Sequence, residues 1–247
     1  MPEPDPVESS PAGARLARWA GGDRNLALLA ATVAVLPLVV GMVRVLVDGQ
    51  FALHGDDALI ELRVRDVGSH TPLVGSYQRF GWNHPGPLLF YLLAAPYRLL
   101  GSDFSGLQVG ALAVNALSVV GIGFVAQRRG GLPLLLWSLA LVALLVHAIG
   151  PVDLSDPWEP DVSVLPVTLL VFLAWDVASG RVWALPVVAA VASLLVQAYA
   201  VLAPVTLALS GGAAVTLAVG WLRDRRRAPA DRRWRGAMAA GIVAGLV

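Results

Sequence analysis

Apolar runs of about 18 or more residues recur along this chain, and they constrain its fold before any motif is considered. Such a run crosses the ~30 Å hydrocarbon layer of a membrane as a helix, where every backbone polar group must be satisfied internally. Leu26–Val47 is the first run, followed by Leu107–Ala126, Leu132–Gly150 and Val162–Ala178. Val182–Leu222 is long enough for two, with a break expected around Gln197–Pro204. Gly236–Val247 begins another and stops after 12 residues, so the chain reads as the front part of a longer protein. The expected fold class is an all-α polytopic membrane protein with about six full spans and the start of a seventh.

Composition agrees. Only 14% of residues are charged, against about 25% in soluble domains, and 57% are hydrophobic. With no Cys there is no disulfide framework, zinc-thiolate site or Cys nucleophile, and all 18 basic residues are Arg, a bias that suggests a GC-rich bacterial source. Residues 1–24 are polar and Pro-rich and read as a disordered cytoplasmic tail before a membrane domain over 25–247. The alternative for the N-terminus is a cleaved signal peptide. Leu26–Val47 is longer than a typical signal core, and no small-x-small site follows it, which favours an uncleaved anchor.

Pro85–Leu100 is apolar but only about 16 residues long, at the lower limit for a span. Charge decides its placement, because cytoplasmic flanks carry the Arg excess. If it does not cross, 13 of the 18 arginines lie inside: Arg15, Arg18, Arg24, Arg128, Arg129, Arg181 and the seven from Arg223 to Arg235. If it crosses, ten of those move outside. Pro85–Leu100 is therefore expected as an external interfacial or re-entrant helix, with Tyr91 and Tyr97 at the interface and Arg98 snorkelling. Two external loops follow, 48–103 and 151–161, and they hold ten of the 17 acids.

In the first loop, Asp57, Glu61 and Arg65 share one helical face, Ile60, Val64 and Val67 lie on another, and Gly68 is a stop. Asp56 and Asp57 then open a short amphipathic helix. One of them would serve as a cap; a second invites another role. The run Tyr77–Pro87 carries Arg79, Phe80, Trp82, Asn83 and His84 before a Pro-started helix. Arg79 and His84 beside a helix N-terminus suit a phosphate, although an interfacial anchor explains the same residues. In the second loop Asp153, Asp156, Glu159 and Asp161 alternate with three prolines: either a solvated turn or oxygen ligands for a cation. His147, Gln197 and Tyr199 approach the same face, as cavity lining or as helix-packing hydrogen bonds. The Arg223–Arg235 cluster is more simply topogenic than a nucleic-acid site, and the common soluble catalytic motifs are absent.

In layout, the chain resembles the GT-C membrane glycosyltransferases, among them the protein O-mannosyltransferases, the lipid A aminoarabinose transferase, the oligosaccharyltransferase catalytic subunit and actinobacterial arabinofuranosyltransferases. Asn83-His84-Pro85-Gly86-Pro87-Leu88 followed by Tyr91 is similar to that family's His/Lys-Pro-Pro-Leu-x-Tyr pattern, with Gly86 in place of the second Pro. Asp56 and Asp57 match its first-loop acids, and Asp153–Asp161 stands where some members carry a second acidic motif. The resemblance covers roughly residues 26–222.

It implies a plasma-membrane enzyme with a cytoplasmic N-terminus and external site, transferring sugar from a polyprenyl-phosphate donor to a glycan, lipid or protein hydroxyl. Asp56 or Asp57 would be the general base. Arg79 and His84, or a divalent cation on the second loop, would stabilise the departing phosphate. Membrane lipids are the other expected partners, and no nucleic acid is expected. The competing readings are a transporter or flippase of a lipid-linked sugar and a non-catalytic scaffold. A transporter would want ionisable groups at mid-membrane, and Asp176 lies near the cytoplasmic end of its span.

Overall fold

The computed structural model describes residues 11–48, 55–78 and 81–227. His54 and Arg79 lie outside the described residues, as does the terminal run 236–247. The chain is built from helices α1 (Pro11–Asp48), α2 (Gly55–Asp66), α3 (Leu88–Leu99), α4 (Phe104–Ile149), α5 (Pro151–Ser155), α6 (Glu159–Ala178), α7 (Leu185–Ala198) and α8 (Ala203–Arg227). Between α2 and α3 a two-stranded hairpin pairs β1 (Tyr77–Gln78) with β2 (Trp82–Asn83), Tyr77 opposite Asn83. Helix α1 starts at Pro11, so the stretch expected as tail is helical from there on. Ala12, Arg15, Leu16, Ala17 and Arg18 all have good helix propensity.

Four helices are long and apolar enough to cross a membrane: Asn25–Asp48 of α1, α4, α6 and Ala200–Arg223. The protein is thus a multi-pass membrane protein with four candidate spans, not the six or seven expected. Two physical causes account for the difference. Helix α4 absorbs both the Leu107–Ala126 and Leu132–Gly150 runs into one 46-residue element. Straight, it would be about 69 Å long, more than twice the hydrocarbon thickness. It breaks at Gly130-Gly131, where Gly131 has φ +62° and ψ −156°, a region open to glycine. The second arm folds back on the first, with Leu135 and Leu139 against Gly123. The other cause is α7: even with its preceding 3-10 turn it runs only from Val182 to Ala198, below span length. It ends because Tyr199 turns to extended backbone (φ −140°, ψ 92°) and packs on the first loop.

Helix α3, with 12 residues, spans about 18 Å and is too short to cross. It lies beside α2, burying Phe90, Leu93, Ala94 and Tyr97 with Ile60 and Val64 of α2 and Leu107 and Ala111 of α4. Ile60 and Val64 face the core as their spacing predicts. Tyr97, expected at an interface, is instead 1% exposed. Its hydroxyl donates to Glu61 Oε1 at 2.9 Å. Arg98 is exposed and bonds the Val67 carbonyl. A separate core joins α1, both arms of α4, α6, α7 and α8 through Leu38, Leu112, Leu139, Leu165, Leu170, Leu195 and Leu217.

The two ends of the bundle differ. At the end holding the α4 break, Asp176 is 2% exposed and is paired with Arg129 and, at 3.5 Å, Arg181. Arg128 lies over the Phe124 and Trp183 rings at 5.1 and 5.4 Å. The opposite end carries α2, α3, the hairpin, α5 and the α7–α8 turn. Asp103 caps α4 there, accepting from the Ser105 N–H at 3.1 Å; a hydrogen bond with the Ser105 side chain, and then this backbone bond, hold its carboxyl below the usual range. Arg44 is an ionisable residue inside the first span that the sequence reading passed over.

Candidate functional site

The site is assembled by α2, the hairpin loop, α5 and the start of α6. Helix α2 begins with Gly55-Asp56-Asp57, so both carboxylates stand in its first turn, where the helix dipole favours them. Their surroundings differ: Asp56 is exposed, and Asp57 is 6% exposed. Helix α5 and the bend after it bring Asp156 to Asp57 from almost a hundred residues away. Asp156 accepts the Trp158 N–H at 2.8 Å. Burial pushes the Asp156 carboxyl up to about 6, and the neighbouring charges of Asp57 and Asp161 and a hydrogen bond with Asp57 add to the rise, against the pull of Trp158. Asp156 therefore keeps its proton to higher pH than an ordinary carboxyl does.

Glu159 is the first residue of α6 and is 2% exposed. Its charge is felt with those of Asp56 and Asp156. The Ser76 hydroxyl lies beside it without forming a well-directed hydrogen bond: Ser76 Oγ and Glu159 Oε1 are both buried and unpartnered. Asp161 and Asp153 neighbour one another on the outer side of the cluster, with Asp153 exposed. Asp56, Asp57, Asp156 and Glu159 therefore come together, and Asp153 and Asp161 are peripheral. Among the described residues no group of three or more His, Asp or Glu is arranged to hold a metal ion.

Ser76 ties this cluster to the loop of His84. The His84 N–H donates to the Ser76 carbonyl, and the Gly75 N–H donates to the His84 carbonyl, each at 2.9 Å. His84 is fully buried. Its Nδ1 accepts from the Ala200 N–H at 3.1 Å, and its Nε2 lies 2.6 Å from the Gln78 side-chain amide. With Nδ1 accepting, the neutral ring carries its proton on Nε2 and donates it to the Gln78 amide, turned to present its oxygen. Burial lowers the His84 pKa and keeps it neutral. The ring is edge-on to Trp82 and Tyr199, with centroids 5.4 and 5.6 Å apart. His84 thus fastens the loop to the α7–α8 turn and offers no free ring nitrogen to a phosphate.

Gln197 completes that contact. A methyl group on Gly86 would lie 2.2 Å from Gln197 Oε1, and one on Gly75 would lie 2.7 Å from His84 Cβ and 2.9 Å from the Gly86 carbonyl. At Gly75 the close neighbours include the Gly86 and Gln197 carbonyls, whereas Gly86 meets only the Gln197 side chain. Trp82 is 40% exposed and Asn83 exposed, at the open edge of the hairpin. Tyr91 donates to the Pro72 carbonyl at 2.6 Å, holding α3 to the preceding loop. His147 is elsewhere, against α1 and Leu154.

Ser76 and Gln78 were missed in the sequence. Nothing in their local pattern separates them from loop polar residues, and their roles come from contacts made by His84 and Glu159. No family model, curated protein or solved structure matches the chain.

Proposed function

We propose that the protein is a membrane glycosyltransferase of the GT-C kind, transferring sugar from a polyprenyl-phosphate donor to a hydroxyl acceptor on the external face. The observation that carries this reading is the meeting of Asp56 and Asp57 with Asp156 and Glu159 beside the His84 loop, at one end of a membrane bundle. Burying several carboxylates beside one another is costly, and titratable groups perturbed together mark functional sites.

Within this reading Asp56 is the general base. It is exposed and so within reach of an acceptor, whereas Asp57 is buried against Asp156. Asp56 takes the acceptor proton as its oxygen attacks the anomeric carbon; the bond to the donor phosphate breaks, and polyprenyl phosphate leaves. Asp156, hydrogen-bonded to Asp57 and raised to about 6, holds the first turn of α2 in place and limits the negative charge facing the phosphate. Arg79, outside the described residues, is the cation assigned to the leaving group. His84, Gln197 and Tyr199 position the loop that carries it.

The test is turnover of radiolabelled polyprenyl-phosphate sugars by the protein in membranes. Asp56→Asn abolishes release of polyprenyl phosphate while leaving membrane insertion intact; retained turnover sinks the assignment. Binding of the donor without release by the unaltered protein would favour a transporter or a scaffold.

A further inference from the structure

Beyond the acid cluster, on the other side of α5, α1 and the second arm of α4 leave a crevice of about 210 Å³. Its floor is apolar, formed by Leu38, Gly41, Val146 and Leu154, and Arg44 and His147 line it as well. Arg44 lies one turn before the end of α1 at Asp48, and His147 lies two residues before the end of α4 at Ile149. Both helices end on the α2–α3 side, so the two nitrogen-bearing side chains stand at one depth, where the hydrocarbon gives way to headgroups. Neither makes a hydrogen bond or ion pair among the described residues. An unpaired arginine within a span costs several kcal/mol near mid-membrane and less near the edge, and it is ordinarily matched by an anion or water.

We infer that this crevice binds the phosphate of an anionic membrane phospholipid, held by Arg44 and His147, with the first methylenes of an acyl chain against Leu38, Gly41 and Val146. The polarity gradient of the crevice matches that of a lipid: cationic at headgroup depth, apolar below. Charge complementarity selects the phosphate, since a guanidinium binds phosphate oxygens in a bidentate way. The volume is below the ~300–1,000 Å³ of a site that encloses a whole ligand, so it takes the glycerophosphate region and leaves the chains in the bilayer. Leu154 is part of that floor, and Asp156, two residues on, is hydrogen-bonded with Asp57. Helix α5 thus separates the crevice from the acids, and a lipid there props α5 without reacting. The inference does not rest on the glycosyl-transfer reading.

The full chain, purified in a neutral detergent, is titrated with dioctanoyl phosphatidylglycerol and followed by native mass spectrometry. Dioctanoylglycerol, inorganic phosphate and a short polyprenyl phosphate are titrated in parallel. Phosphatidylglycerol binds; dioctanoylglycerol and inorganic phosphate each bind at least tenfold more weakly. Arg44→Gln weakens phosphatidylglycerol about tenfold or more, the loss expected of one charge-assisted bond, and His147→Gln weakens it less. Arg128→Gln, at the opposite end of the bundle, leaves it unchanged. An unchanged melting temperature of Arg44→Gln in detergent separates loss of binding from loss of folding. Equal binding of dioctanoylglycerol, equal binding of inorganic phosphate, or unchanged affinity in Arg44→Gln overturns the inference. Arg44-dependent displacement of phosphatidylglycerol by polyprenyl phosphate at lower concentration also overturns it, giving the crevice to that lipid.

Discussion

The two ends of the bundle treat buried acid in opposite ways. At the end with the α4 break, Asp176 has two arginines: Arg129, which also donates to its carbonyl at 2.5 Å, and Arg181. The charge is neutralised, and the result is a clamp joining α4 to α6. At the other end Asp57, Asp156 and Glu159 gather beside Asp56; Glu159 Oε1 is unpartnered, and Asp156 is raised to about 6. Burying like charges together costs stability that a purely structural loop would have no reason to spend. The contrast sets a neutralised ion pair against a gathering of acids.

That contrast gives a ranked set of tests. Asp56→Asn has the largest effect: about 10²- to 10⁴-fold in transfer rate, the range for loss of a general base, with an unchanged melting temperature. Asp176→Asn does the reverse. It leaves Arg129 and Arg181 facing a neutral partner and costs about 3 kcal/mol of stability, read by thermal unfolding in detergent, while the folded fraction keeps its turnover. An Asp176→Asn protein that lost activity without losing stability would erase the distinction between the ends.

Gly75→Ala comes next. Its methyl group meets His84 Cβ and the Gly86 carbonyl under 3 Å, so backbone must move; overpacking of this kind costs about 1–3 kcal/mol. Gly86→Ala meets the far end of the Gln197 side chain, which can swing away, and costs less. Comparing the two melting temperatures checks that ordering.

Asp156 supplies a pH test. Its folded value of about 6 lies above the ordinary 3.8, so the native state keeps a proton that the unfolded chain has lost. Its contribution to stability is therefore greatest below about pH 4, falls as pH rises to about 6, and is flat above. Asp156→Asn removes that fall, raising stability at neutral pH by about 1–3 kcal/mol and flattening the melting temperature across this window. The smallest effect belongs to Tyr97→Phe, which loses the bond to Glu61 and about 1 kcal/mol.

What the sequence made legible was local. The Arg excess on alternate flanks kept Pro85–Leu100 from being read as a span, and α3 is indeed too short to cross. The spacing of Ile60 and Val64 set the buried face of α2, and the gathering of Asp56–Asp57 and Asp156–Glu159 on one side followed from the topology. What was not legible depended on distant contacts or on small backbone choices. That the runs 107–126 and 132–150 join into one folded-back helix turns on the backbone at Gly130-Gly131, with Gly131 at φ +62°. Tyr97 has the composition of an interface residue and is buried only because α2 packs over it. His84 looked like a phosphate ligand because its partner, Ala200, is 116 residues away. Arg44 was masked by the valines and leucines around it.

The central claim is that the first-loop acids and the second-loop acids form one site on one side of the membrane. The chain has no Cys, so a double variant, Asp57→Cys with Asp156→Cys, can be tested in membranes without a background thiol. The account predicts an intramolecular cross-link under mild oxidation, and labelling of both single variants by a membrane-impermeant thiol reagent from the same side after local unfolding. Labelling of the two positions from opposite sides, with no cross-link, would contradict it.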